Sequence, residues 1–211
     1  MPAEYRLRTL TDLDDIDAGH MIRKYAVTFA RQHNIDDATP PADRIKSLYL
    51  WSTAPGTGKT TTAAALINEW LIAHCVGAWR RGQQPARQPA YFLDVNAWHT
   101  DYNGFNRPRV PEDVAAPASE RYYAAMEQAK AAPFAVLDDI GVRNDVTEGF
   151  RGDLHSIINY RVTNALPTVY TSNLPIVDLP RVFGADRLAD RMRDLCVEIE
   201  LPGGRRRGMR R

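Results

Sequence analysis

Cysteine is nearly missing from this chain. Cys75 and Cys196 are the only two in 211 residues, and they lack metal-ligand spacing, so neither a disulfide framework nor a zinc site is expected. Long apolar runs are missing too. No stretch approaches the roughly 20 residues needed to cross a bilayer, and the opening sequence MPAEYRLRTLTDLDD lacks the apolar core of a signal peptide. The expectation is a cytoplasmic protein with no membrane contact. Net charge is also scarce: 27 basic residues against 26 acidic ones leave +1. That balance hides an uneven distribution, because the last seven residues carry five arginines and the remainder stands at 1 − 5 = −4. Such a tail suits a solvated end, a nucleic-acid contact or a nucleotide sensor. The histidines form no nucleophile or metal constellation, and no internal repeat is visible.

What is present is an ordinary globular composition, 44% hydrophobic and 25% charged, long enough for one sizeable core. Residues 1–46 read as a leader with one amphipathic helix, since Ile16, Met21, Ile22, Tyr25, Ala26 and Phe29 fall near helical spacing. Pro40-Pro41 then breaks the chain. Apolar strands are expected at 47–52, 91–95, 134–137, 167–170 and 197–201. Helices are expected at 60–75, 119–131 with Ser119 as N-cap, 150–164 and 186–195. Residues 96–118, rich in aromatics and prolines, read as irregular. Strands alternating with helices imply an α/β fold: a mostly parallel five-stranded sheet with helices on both faces. The domain expectation is a leader (1–46), a core (47–202) and a basic tail (203–211).

Between the first strand and the following helix lies Ala54-Pro55-Gly56-Thr57-Gly58-Lys59-Thr60, a match to the phosphate-binding loop pattern. Glycines let successive backbone N–H groups turn inward around phosphate oxygens, and the helix N-terminus adds partial positive charge. The expected nucleotide-binding set is Pro55, Gly56, Thr57, Gly58, Lys59, Thr60 and Thr61. Lys59 reaches toward the β- and γ-phosphates, and Thr60 places its hydroxyl on Mg²⁺. The pattern's first glycine is here Thr53, so the strand-to-loop turn must use an ordinary backbone conformation.

A second element supports the first. Phe134-Ala-Val-Leu ends in Asp138-Asp139. Beside the phosphate loop, Asp138 suits the metal's water shell, and Asp139 suits an attacking water. Tyr170-Thr171-Ser172-Asn173 closes the fourth strand with small polar groups, of which Asn173 can report on the γ-phosphate. Residues 96–110 interleave Trp98, Tyr102 and Phe105 with Arg107 and Arg109, a combination suited to single-stranded DNA, although the rings equally suit packing onto the core. Arg143 is a further candidate contact.

Together, APGTGKT, VLDDIG, YTSNLP and the run Arg187-Leu-Ala-Asp-Arg191-Met-Arg193 resemble the AAA+ family. More narrowly they resemble the DnaC/DnaI-type replicative helicase loaders and the related IstB-type transposition ATPases. The resemblance implies a P-loop core without a C-terminal lid, ATP and Mg²⁺ as ligands, and ATP hydrolysis. It further implies self-association into a ring or spiral, single-stranded DNA contact and a replicative helicase as partner. Lys59 and Thr60 then match Walker A, Asp138 and Asp139 match Walker B, and Asn173 matches sensor 1. Arg191 matches the arginine finger that completes a neighbour's site, with Arg187 on the same helical face; the alternative is an exposed basic helix paired with Asp186 and Asp190. Arg207 matches a closing Gly-x-x-x-Arg pattern. Two further functions stay open: a weakly hydrolysing nucleotide-dependent binding module or inhibitor, and a transposition ATPase. Loaders of this type usually carry a separate N-terminal domain, whereas about 45 residues precede this core.

Overall fold

Short apolar runs set the sheet. Ser47–Trp51 forms β1, buried except at Trp51, and β2 (Ala90–Asp94), β3 (Phe134–Asp138), β4 (Thr168–Ser172) and β5 (Cys196–Glu200) follow. The computed structural model describes residues 1, 3–12, 17–29, 45–141, 146–183 and 186–203. Within them the strands pair in the order β2-β3-β4-β1-β5, every neighbouring pair parallel. Between and around them run α1 (Asp17–Val27), α2 (Lys59–Arg80), α3 (Val95–Asn106), α4 (Glu112–Ala131), α5 (Glu148–Thr163), the short α6 (Pro180–Phe183) and α7 (Asp186–Leu195).

Side chains alternate across a strand, so the sheet feeds two cores. Tyr49, Leu93, Leu137 and Tyr170 meet Trp98, Tyr122, Phe150, Ile157 and Met192 on one face. Leu48, Leu50, Phe92, Val136 and Val169 meet Leu66, Trp70 and the leader's Ile22, Tyr25 and Phe29 on the other. The leader helix therefore joins this second layer: Phe29 packs edge-on against both Trp70 and Phe134, each at 5.4 Å between ring centres. Met21, expected on the buried stripe, is instead 46% exposed; Ile16 and Pro40-Pro41 lie outside the described residues.

Residues 96–118 are not irregular. They form α3 and most of the first half of α4, joined through residues 107–111. Asp94 caps α3 by accepting from the Ala97 N–H at 3.0 Å. Val95, Trp98 and Tyr102, spaced i, i+3, i+7, form its buried face. Helix α4 starts at Glu112, seven residues before the Ser119 cap expected from the sequence, and carries Pro117 inside it. A proline there forfeits one backbone hydrogen bond, a cost that packing on α3 offsets. The C-terminal end of α4 is tied down by Arg161, fully buried, whose guanidinium donates to Ala129 O, Lys130 O, Ala132 O, Pro167 O and Thr168 Oγ1.

Candidate functional site

In a parallel sheet every strand points its C-terminal end to the same edge, and loops at that edge collect polar groups. Here the ends of β1, β3 and β4 converge. From β1 the chain runs through Ser52–Thr57 into α2, whose N-cap is Gly58 at φ 97°. Gly56 also has positive φ, 76°. Thr53 is not among the positive-φ residues, so the turn does use an ordinary conformation where the pattern's first glycine is replaced. A Cβ added at Gly58 would meet nothing within 4 Å: the loop leaves open space beside its backbone.

Lys59 folds back over this loop, Nζ donating to Ser52 O at 3.1 Å and Ala54 O at 3.4 Å. Burial pulls its ammonium below the usual lysine value, while Asp139 and Asp138 push it back up. Thr57 is 4% exposed, and its hydroxyl is an orphan with no hydrogen-bond partner. A buried unpaired hydroxyl costs free energy, and a phosphate oxygen is the kind of acceptor this loop would bring to it. Thr61 sits half-buried in the first turn of α2 and Pro55 exposed in the loop.

Asp138 is the junction. Thr60 Oγ1 donates toward both of its carboxylate oxygens at 3.1 Å, and Thr171 Oγ1 donates to Oδ1 at 2.6 Å. Burial pushes its pKa up to about 6, the two threonine hydroxyls pull down, and the charges of Asp139 and Asp94 push up again. A buried carboxylate surrounded by negative charge favours a cation. Among the described residues no group of three or more His, Cys, Asp or Glu gathers to hold a metal alone. A hydroxyl and one carboxylate fit Mg²⁺, which takes its remaining oxygens from water and phosphates. The residues present therefore fit Mg²⁺ and a nucleoside triphosphate together.

Asp139 sits just beyond β3 at φ 63°, left-handed for a residue with a side chain, a conformation that costs of order 1 kcal/mol. Its backbone N–H donates to Thr171 Oγ1 at 2.8 Å, which holds it there. Asn173 Nδ2 donates to its Oδ1 at 3.3 Å and Asn96 Nδ2 to its Oδ2 at 2.7 Å. Thr171, Asn173 and both aspartates thus form one network. Asn96 escaped the sequence reading. The signal that could have found it is register: Asp94 pairs with Asp138, which sets the first turn of α3 beside Asp139.

The remaining expected residues are elsewhere. Arg191 lies on α7 and donates to Asn159 Oδ1 at 2.6 Å and Thr163 Oγ1 at 2.9 Å, both on α5. Asp190 pairs with Arg193, while Arg187 is exposed. Trp98 and Tyr102 are 2% and 8% exposed, which corrects the expectation that they stack on bases. Trp98 stacks on Tyr122 at 4.5 Å and donates Nε1–H to Tyr122 O. Phe105 packs edge-on against Tyr102 and Tyr122. These rings spend their faces on one another. Arg107 and Arg109 stay exposed at the α3–α4 tip, Arg109 at φ 63°; Arg143 and Arg207 lie outside the described residues.

This architecture has solved relatives. The structure of DnaI matches with a TM-score of 0.65 at 25% identity, over 98% of this chain and 94% of that one. A primosome-component candidate from Streptococcus pyogenes serotype M3 matches with 0.62 at 26% identity, over 98% and 92%. The chain has the fold of the DnaC/DnaI-type AAA+ proteins. The DnaC helicase loader adds a TM-score of 0.63 over 95% of this AAA+ chain and 100% of its own, at 16% identity, a likeness of fold alone. No protein-family model and no curated protein matches the sequence. No described helix of this AAA+ chain is long and apolar enough to cross a membrane.

Proposed function

We propose that this AAA+ chain binds Mg–ATP in the phosphate loop, hydrolyses it at subunit interfaces, and loads a replicative helicase at single-stranded DNA. One observation carries the nucleotide part: the Thr60 hydroxyl and the Asp138 carboxylate, 78 residues apart, meet at the mouth of the loop. The likeness to DnaI, together with the motifs that resemble helicase loaders, supports the loader part.

When bound, Mg–ATP supplies the phosphoanhydride to be cleaved and the charge that answers Asp138. Loop amides from Gly56 to Thr60 would receive phosphate oxygens, and Lys59 would exchange its two carbonyl acceptors for the phosphates. Thr60 and Asp138 would hold the metal through a hydroxyl and a carboxylate. Asp139 and Asn173 would align an attacking water, Asp139 accepting its proton as the oxygen–phosphorus bond forms and the β–γ phosphoanhydride bond breaks to release ADP. Arg191 exchanges its two exposed hydrogen bonds, each worth about 1 kcal/mol, for the triphosphate of a neighbouring copy. Arg107 and Arg109 offer two cations to a DNA backbone, Arg143 and Arg207 extending the DNA and nucleotide contacts respectively.

A weakly hydrolysing binding module is the second reading, and one feature favours it: both oxygens of Asp139 accept from amides, which leaves its carboxylate engaged. Steady-state phosphate release with and without single-stranded DNA separates the two. The loader reading expects Mg-dependent turnover that falls about 10³-fold in Arg191→Ala while ATP affinity stays within about twofold. Equal turnover in both proteins removes the intersubunit site.

A further inference from the structure

Helix α2 has two apolar faces, and only one is covered. Ala63, Leu66, Ile67 and Trp70 are buried against the sheet. On the opposite side Ile72, Val76 and Trp79, at i, i+4, i+7, are 57%, 36% and 67% exposed. A helix that is apolar all round is normally buried all round. The stripe continues one turn back onto the chain's opening residues. Asn68 Nδ2 donates to the carbonyls of Arg6 and Arg8 at 3.2 Å and 2.8 Å, which lays Leu7, 91% exposed, beside it.

The rim of this stripe is basic. Arg80 and Arg81 stand exposed at the end where Trp79 lies, and Arg6 stands exposed at the Leu7 end. Among the described residues none of the three has an ion-pair partner. The only carboxylate on α2 is Glu69. An apolar stripe flanked by unpaired cations at both ends fits an amphipathic helix whose apolar face is bordered by acidic residues.

We propose that the outer face of α2, with Leu7, is a docking site for an acidic amphipathic helix of another protein. Trp79 anchors it, since a large exposed aromatic offers the most apolar area to desolvate. Arg6, Arg80 and Arg81 set its polarity. Trp79 lies 19 residues beyond Thr60 along one helix, about 28 Å at 1.5 Å per residue, so docking and nucleotide binding are read independently.

The test uses the full chain and two labelled synthetic peptides of about 18 residues sharing one leucine face, one with glutamate on its remaining positions and one with lysine. Fluorescence anisotropy should show saturable binding of the glutamate peptide and at least tenfold weaker binding of the lysine peptide. Trp79→Gln, Ile72→Gln and the double change R80E/R81E should each weaken the glutamate peptide tenfold or more. These are exposed positions, so melting midpoints should stay within about 2 °C. No saturable binding, equal binding of both peptides, or indifference to Trp79→Gln and Ile72→Gln overturns the proposal. Light scattering that shows a dimer dispersed by Trp79→Gln overturns it in favour of a second copy of this chain. Co-sedimentation with phosphatidylglycerol vesicles, lost in Trp79→Gln, overturns it in favour of a lipid surface.

Discussion

Asp138 carries a charge that the nucleotide-free protein has little use for. Its pKa stands near 6 against an ordinary 3.8, chiefly because it is buried. A folded-state pKa above the unfolded one means that folded protein holds the proton longer. Stability is therefore fully present below about pH 4 and is lost as pH rises through about 6, by up to about 3 kcal/mol. Asp138→Asn should remove that loss, so that without nucleotide the variant is more stable than wild type at pH 7 and equal to it near pH 4. Denaturant melts across this range check it, and parallel curves for the two proteins contradict it. Asn96 invites a different experiment. Its amide occupies Asp139 Oδ2 at 2.7 Å, taking up an oxygen of the carboxylate proposed to accept a proton. Asn96→Ala should raise basal turnover about 2- to 10-fold, within the range of a general base, with ATP affinity unchanged. A fall in turnover would show instead that Asn96 positions Asp139.

At the scale of elements, the hairpin of α3 and α4 divides structural from exposed residues along one short stretch of sequence. Trp98 is sandwiched by Tyr122 and Phe150, so Trp98→Ala should cost about 3–5 kcal/mol of stability. The pair Arg107→Ala and Arg109→Ala should leave stability within about 0.5 kcal/mol and flatten the salt dependence of single-stranded DNA binding. Melts and titrations at several salt concentrations separate these outcomes; DNA binding untouched by the arginine changes would move the DNA path elsewhere. The same hairpin marks where the sequence was hard to read. Strands β1 and β3 are apolar runs bounded by polar residues, and α7 appears where its Asp186–Leu195 pattern places it. In α3 the apolar positions have helical spacing, but Asn96, Thr100, Asp101, Asn103 and Gly104 are poor helix formers that mask it. Three prolines at 108, 111 and 117 then read as a loop. Packing of rings between α3, α4 and α5 overrides that local preference.

Across the whole molecule, the parallel sheet brings residues separated by up to 121 positions, Ser52 to Asn173, to one edge. The aspartates, Lys59 and Thr60 were legible because strand ends and a glycine loop have sequence signatures. Asn96 was not, since its role depends on which strand lies next to β3, and strand order is a property of the assembled sheet. The buried faces of Trp98 and Tyr102 were hidden for the same reason: aromatic residues near arginines look alike whether they face a base or a neighbouring helix. The proposed function depends on the loop between β1 and α2 gripping a triphosphate. Calorimetric titration of Mg–ATP into wild type and Lys59→Ala tests this most directly. The expected result is saturable heat for wild type and an affinity at least tenfold weaker for the variant, one tenfold step being about 1.4 kcal/mol. Absence of heat with wild type, or the same affinity in both proteins, would contradict it.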